Sequence, residues 1–182
     1  MRSGRPLLLA LVLGALAVPV PAPAAEGVRY EDVTESLGID FVHAASPTSQ
    51  KYLPETMGGG VALLDYDGDG RLDVFFVNGA RFHDPMPPGT AIVKEGPGHW
   101  NRLYRQKADG RFEDVTTEAG LAGVGYGQGV AVGDYDNDGD PDLYVTGVGA
   151  NQLYRNEGDG RFTDVTAEAG VEGGHWSTSA AF

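Results

Sequence analysis

A 50-residue internal repeat is the feature that most constrains how this chain can fold. Asn101-Arg-Leu-Tyr-Arg105 returns as Asn151-Gln-Leu-Tyr-Arg155, and Asp109-Gly-Arg-Phe-Glu-Asp-Val-Thr116 returns as Asp159-Gly-Arg-Phe-Thr-Asp-Val-Thr166. The pair Glu118-Ala-Gly120 and Glu168-Ala-Gly170 has the same spacing. Because several blocks share one offset, we interpret the chain as an array of similar supersecondary units, in preference to a β-sandwich with chance similarity.

A second repeated block shows where one unit carries extra residues. Gly60-Val-Ala-Leu-Leu-Asp-Tyr-Asp67 returns as Gly129-Val-Ala-Val-Gly-Asp-Tyr-Asp136, at an offset longer by 19 residues. Prolines and glycine between Val77 and Trp100 mark the extra residues as an inserted loop. We refer to residues 80–100 as the insertion.

Each unit contains a run of short strands. We predict four in the first unit, at Val61–Leu64, Leu72–Val77, Leu103–Arg105 and Phe112–Thr116. Four strands in about 50 residues is the size of a propeller blade, so the sequence predicts an all-β fold of the β-propeller type. Single helical turns are expected at Thr117–Leu121 and Thr166–Val171. The predicted blade units cover residues 58–116 and 127–166, and a further blade starts at 176–182.

The amino terminus has the pattern of an export signal. Arg2 and Arg5 precede the apolar run Leu7–Val20, and Ala22-Pro-Ala24 supplies the small residues that a signal peptidase reads. We therefore predict a signal peptide at residues 1–24, a mature chain at 25–182, and a secreted, periplasmic or cell-surface location. An uncleaved anchor is the alternative. The chain has no cysteine, which excludes disulfides and thiolate metal sites.

Acidic residues are abundant and clustered. The formal net charge is −13, which argues against a nucleic-acid partner and against an anionic membrane surface. Of the 26 acidic residues, nine lie in the two windows Asp65–Asp73 and Asp134–Asp142. Such clustering is costly by mutual repulsion unless a cation neutralises it.

Both windows follow the pattern D-x-D-x-D-G-x-x-D, which predicts a calcium loop. Alternating aspartates in a tight turn converge on one point, glycine permits the bend, and the residue after it offers a main-chain carbonyl. The predicted ligands are Asp65, Asp67, Asp69, Arg71 and Asp73 in loop one, and Asp134, Asp136, Asp138, Asp140 and Asp142 in loop two. Oxygen ligands in this number favour Ca²⁺ over Mg²⁺, and Zn²⁺ would require histidine or cysteine.

The same pattern opens an EF-hand, but the residues that follow it do not fit one. An EF-hand needs glutamate at loop position 12 and a helix on each side. Position 12 is Phe76 in loop one and Val145 in loop two, and the flanking residues are strand-like. The alternative to a calcium loop in a β-hairpin is a solvated acidic turn that binds no metal.

The blocks that start at Gly60 and Gly129 resemble FG-GAP/VCBS repeats, the calcium-binding blades of integrin α-subunit propellers and of many bacterial secreted proteins. Leu53-Pro-Glu-Thr-Met-Gly58, together with the blocks from Asn101 and Asn151, resembles bacterial relatives of cartilage acidic protein. Those proteins typically end in a small ASPIC/UnbV domain. The resemblance covers residues 28–182 and implies a seven-bladed propeller with calcium in the blade loops. About two blades are present here, so we expect the chain to be an N-terminal fragment.

No catalytic residue is predicted. The four histidines form no metal pair and no triad, and chelated carboxylates are not free to transfer protons. We expect a scaffold, not an enzyme, which binds a protein or glycan partner through loops such as the insertion. The alternatives are an extracellular propeller enzyme (a polysaccharide lyase, glycosidase or quinone-dependent oxidoreductase) with its active site in missing blades, and an accessory subunit of a redox complex.

Overall fold

The computed structural model describes residues 28–182. The predicted signal peptide at residues 1–24 lies outside this range. By its contacts the chain divides into two units, Met1–Asp32 and Val33–Phe182, and the second contains all the elements described here. No helix within residues 28–182 combines the length and the apolar character needed to cross a bilayer.

The first sheet has four antiparallel strands in chain order, which makes it a simple meander. Its strands are β1 (Val61–Leu64), β2 (Asp73–Phe76), β3 (Arg102–Gln106) and β4 (Phe112–Asp114). The register places Leu64 opposite Asp73 and Tyr104 opposite Asp114. A short 3₁₀ helix, Leu53–Thr56, precedes the sheet, and another, Pro97–His99, precedes β3.

The second sheet repeats this arrangement. Its strands are β5 (Tyr126–Gly133), β6 (Asp142–Val148), β7 (Gln152–Asn156) and β8 (Phe162–Asp164). The register again places the residue before the loop, Gly133, opposite the last residue of the loop, Asp142. A bulge between Gly127 and Gly129 interrupts the pairing of β5 with β6. Two four-stranded antiparallel sheets confirm the all-β prediction.

The strand β4 ends at Asp114, short of the predicted Thr116, because the helical turn that follows begins at Thr116 and not at Thr117. The turn after β8 begins at Thr166, as predicted. The turns are α1 (Thr116–Ala119) and α2 (Thr166–Ala169). The hydroxyl of Thr116 accepts a hydrogen bond from the Leu103 backbone N–H at 3.0 Å, and Thr166 does the same for Leu153 at 2.9 Å. These threonines therefore leave the strand to satisfy a buried donor on the neighbouring strand.

The main hydrophobic core lies between the two sheets. The first sheet contributes Leu64, Phe75 and Leu103, and the second contributes Leu143, Tyr154 and Phe162, among others. Phe75, Leu103 and Leu143 are completely buried. Because both sheets place apolar side chains in this one cluster, its burial is the main favourable term that fixes the two sheets together.

The two kinds of loop lie at opposite edges of the first sheet. In an antiparallel meander, the β1–β2 and β3–β4 connections share one edge, and the β2–β3 connection lies at the other. Loop one connects β1 to β2, whereas the insertion lies between β2 and β3. In the second sheet only residues 149–151 separate β6 from β7. The extra residues are thus confined to the edge that does not carry the Asp loops.

Candidate metal centres

Loop one is a tight connection whose shape depends on two left-handed residues. Gly68 has φ of 70° and Gly70 has φ of 82°. In loop two the equivalent positions are Asn137, with φ of 63°, and Gly139, with φ of 97°. Glycine adopts this region without strain, and asparagine tolerates it better than most residues. Both loops therefore turn in the same way despite their different sequences.

Backbone N–H groups fix the first and last carboxylates of loop one. Asp65 accepts hydrogen bonds from the N–H groups of Asp69 at 3.0 Å and Gly70 at 2.8 Å. Asp73 is completely buried, and it accepts from Tyr66 at 3.2 Å and from Gln106 at 2.7 Å. Asp73 therefore connects the loop to β3, a role that its place at the end of the sequence pattern does not reveal.

Three carboxylates of loop one converge. Asp65, Asp67 and Asp73 each offer an oxygen, and these oxygens all lie within 4.8 Å of one another. Oδ1 of Asp67 is buried and has no hydrogen-bond partner among residues 28–182. Burial, followed by the charges of Asp69 and Asp65, raises the pKa of Asp67. A buried carboxylate oxygen without a donor, next to two further carboxylates, is an arrangement that a bound cation would stabilise.

The carboxylate of Asp69, the fifth residue of loop one, is directed towards Arg71 and not towards the converging carboxylates. Its carboxylate forms an ion pair with the guanidinium of Arg71 and accepts the Arg71 backbone N–H at 2.9 Å. The guanidinium is itself held in place, because its Nε donates to the carbonyl of Gln106 at 2.9 Å. Asp69 is not a member of the converging group. The role of the Arg71 main-chain carbonyl as a ligand stays a prediction.

Loop two brings together a different set of carboxylates. Here Asp134, Asp136 and Asp138 have oxygens within 4.8 Å of one another, and all three side chains are exposed. Asp134 accepts from the backbone N–H groups of Asp138 and Gly139, both at 3.1 Å. The position that holds Arg71 in loop one is Asp140 in loop two, so Asp138 has no neighbouring guanidinium at that position.

The last aspartate of loop two repeats the role of Asp73. Asp142 is completely buried and accepts the backbone N–H groups of Tyr135 at 2.8 Å and Asn156 at 2.7 Å. Burial raises the pKa of Asp142, as it does for Asp73, and the hydrogen bonds to both carboxylates oppose this rise. The carboxylate of Asp142 lies outside the converging group of loop two. The main-chain carbonyl of Asp140 was predicted as a ligand, and it stays a prediction.

The donor set fits a hard cation in both loops. Every converging atom is a carboxylate oxygen, which is the ligand type that Ca²⁺ and Mg²⁺ take in proteins. No histidine belongs to either group. Of the eight aspartates predicted to bind through their carboxylates, the structure brings together three in each loop, namely Asp65, Asp67, Asp73, Asp134, Asp136 and Asp138.

Sequence reasoning did not identify two residues that position the loops. The Gln106 peptide donates its N–H to Asp73 and accepts from Arg71, so it holds two residues of loop one. Asn156 holds Asp142 through its N–H, and its side chain donates to the carbonyl of Tyr66 at 2.8 Å. One signal was available, because Gln106 and Asn156 follow the repeated Leu-Tyr-Arg segment at the same offset.

A protein-family model described as FG-GAP-like repeat matches residues 65–145 and again residues 134–182. The two matches begin at Asp65 and at Asp134, the first aspartates of the two loops. Together with the two four-stranded sheets, the match confirms the prediction of β-propeller blades. No curated protein shows significant similarity to this chain.

Proposed function

Because this chain belongs to the FG-GAP-like repeat family, we propose that it is a secreted, calcium-binding propeller scaffold that binds a protein or glycan partner. The observation that carries the proposal is the group of Asp65, Asp67 and Asp73, in which a buried carboxylate oxygen lacks a hydrogen-bond donor. Calcium is the preferred ion because it accepts many oxygen ligands in flexible geometry. Magnesium prefers a smaller octahedral shell that retains several waters.

The proposed role of calcium is structural. When bound, the ion supplies positive charge to carboxylates that otherwise repel one another. Loop one contributes Tyr66 to the core between the sheets, and its last residue, Asp73, is tied to β3. A well-ordered loop one therefore holds Tyr66 and Asp73 in the positions that the packing of the sheets requires. A carboxylate that coordinates a metal is not free to move protons, which supports a role without catalysis.

The insertion is the proposed partner-binding segment. It lies at the edge of the first sheet opposite to loop one, so a partner can approach it without contacting the metal loop. Val93 is 51% exposed there. Arg81 and Glu95 form an exposed ion pair at 3.0 Å across the segment. Loops inserted on one face of a repeat array are commonly the binding face.

The same proposal includes the cellular location of the protein and its relation to a narrower group within the repeat family. The export pattern at residues 1–24 supports a secreted, periplasmic or cell-surface protein. Leu53-Pro-Glu-Thr-Met-Gly58 and the blocks from Asn101 and Asn151 support kinship with bacterial relatives of cartilage acidic protein. At each of these locations the propeller would expose its loops to a partner, and bound calcium would stabilise the conformation of the blades that carry them.

Calorimetric titration of the purified chain with calcium tests the metal assignment. We expect two binding events, one per loop, and a higher melting temperature in calcium than in chelator, since a ligand that binds only the folded state stabilises it. A cooperative fold that shows no heat of calcium binding would contradict the proposal. Magnesium at the same concentration is the control, and it should raise the melting temperature less.

Alanine substitutions across the insertion test the partner assignment. A glycan array and a pull-down from the native envelope fraction would first identify a ligand for the unmodified chain. Alanine at Arg81, Glu95 and Val93 should then weaken binding of that ligand without lowering the melting temperature in calcium. Full binding by every one of these variants would remove the insertion from the proposal.

A further inference from the structure

The two loops differ in one residue that bears directly on how a cation would bind. At the seventh position loop one has Arg71 and loop two has Asp140. Loop one therefore contains four aspartates and one arginine, whereas loop two contains five aspartates and no basic residue. The local charge is more negative in loop two, and charge count is one of the quantities that set the affinity of such loops.

Arg71 does more than reduce the net negative charge of loop one, because its guanidinium is fixed beside one predicted ligand. It pairs with the carboxylate of Asp69 while its Nε donates to the Gln106 carbonyl. The Gln106 carbonyl belongs to β3, so the guanidinium has an anchor in addition to Asp69. A cation in loop one would meet Asp69 already neutralised.

The converging groups reflect this difference. Loop one gathers Asp65, Asp67 and the buried Asp73 and leaves out Asp69. Loop two includes Asp138, the counterpart of Asp69, in its group. The two loops are otherwise alike in their left-handed residues and in the backbone bonds to their first and last aspartates. Arg71 is the one basic residue in either loop and it pairs with Asp69, so we attribute the position of Asp69 to it.

We propose that Arg71 is an internal competitor for the cation of loop one, so that loop two fills at a lower calcium concentration and loop one fills second. Binding of the cation by Asp69 competes with the pairing of Asp69 to the guanidinium, and the loss of this partly exposed ion pair reduces the net gain from binding. The chain then has two stages of calcium response. This inference rests on the proposed calcium binding and concerns the order in which the loops fill.

The order can be read from two backbone amides, one in each loop. Gly70 donates to Asp65, and Gly139 donates to Asp134 at the equivalent place. In a ¹H–¹⁵N NMR titration of the chain with calcium chloride, we expect the Gly139 signal to reach its midpoint at about a tenfold lower free calcium concentration than the Gly70 signal.

Substitution of the arginine isolates its effect. Arg71→Gln should bring the Gly70 midpoint to within about threefold of the Gly139 midpoint and leave the latter unchanged. Arg111→Gln, which removes an exposed arginine from the β3–β4 turn, is the matched control and should preserve the difference. In an Asp69→Asn background, Arg71→Gln should have a smaller effect on Gly70, since the competed ligand is absent.

The outcomes separate this inference from the calcium assignment. Simultaneous titration of Gly70 and Gly139 in the unmodified chain, or an Arg71→Gln variant that keeps the full separation between the two midpoints, overturns the competitor role and leaves calcium binding intact. Absence of any calcium-dependent shift at either glycine overturns both. If Arg71→Gln is too unstable to study, Arg71→Lys provides the test, because lysine keeps the charge but cannot bond Asp69 and the Gln106 carbonyl through two separate nitrogens, as arginine does.

Discussion

The ring of Tyr66 stacks on the ring of Phe162, with centroids 6.2 Å apart and planes inclined by 26°. Tyr66 is the second residue of loop one, and Phe162 is the first residue of β8 in the other sheet. Asn156 reinforces this contact by donating to the Tyr66 carbonyl at 2.8 Å. Loop one is therefore part of the interface between the two sheets.

Tyr66→Ala should lower the free energy of unfolding by about 3 kcal/mol, because it leaves a cavity in the core between the sheets. Tyr66 is 4% exposed and loses nearly all of its packing in this variant. Chemical denaturation in excess calcium measures the loss. Tyr135→Ala, at the equivalent and half-buried position of loop two, should cost clearly less. Equal losses would show that the stack on Phe162 adds nothing.

Asp67→Asn should weaken calcium binding at loop one by about tenfold or more, since it removes the charge of the carboxylate whose oxygen lacks a partner. Isothermal titration calorimetry measures the change. Glu118→Gln is the control, because it removes one exposed negative charge outside both loops. If both variants weaken binding equally, the effect is general electrostatics and Asp67 is not a ligand.

Thr116→Val should lower the free energy of unfolding by about 1–3 kcal/mol, because it leaves the Leu103 backbone N–H buried without an acceptor. For a chain of this size the melting temperature should fall by about 2–4 °C per kcal/mol. Thr116→Ser keeps the hydroxyl and should retain most of the stability. Thr166→Val should behave in the same way in the second sheet, where Leu153 is the donor. A valine variant as stable as the serine variant would contradict this account.

Lys94 should make stability depend on pH. Its ammonium donates to the carbonyls of Asn78 at 2.7 Å, Gly79 at 2.9 Å and His99 at 2.9 Å, and burial lowers its pKa to about 7 from the ordinary 10.5. At pH values between about 7 and 10.5, Lys94 is protonated in the unfolded chain but largely neutral in the folded chain. The free energy of unfolding should therefore rise with pH from about 7 towards 10.5.

Urea denaturation at pH 7, 8 and 9 in constant calcium measures this dependence. Lys94→Met should flatten it, whereas Lys107→Met, in the β3–β4 turn, should not. Burial and the charge of Lys94 lower the pKa of the neighbouring His43, so that histidine is neutral throughout this range. A pH dependence that persists in Lys94→Met would assign it to another group.

Much of the fold followed from the repeat. Val61–Leu64 was predicted at its observed bounds, and Leu103–Arg105 was predicted one residue short at each end of the observed β3. Phe112–Thr116 was predicted as one strand but ends at Asp114, because the Thr116 hydroxyl bonds to the Leu103 N–H across the sheet. That bond depends on how two strands pair, which strand propensity does not encode.

By itself, the sequence determined the repeated unit, the type of its elements, and the two places where aspartates alternate, because periodicity and turn chemistry act over a few neighbouring residues. Only the tertiary structure decided which aspartates converge. Asp73 and Arg71 both meet Gln106, more than 30 positions along the chain, and Tyr66 meets Phe162 in another sheet. Such contacts arise when distant strands pack, so the pattern could name the candidate ligands but not their partners.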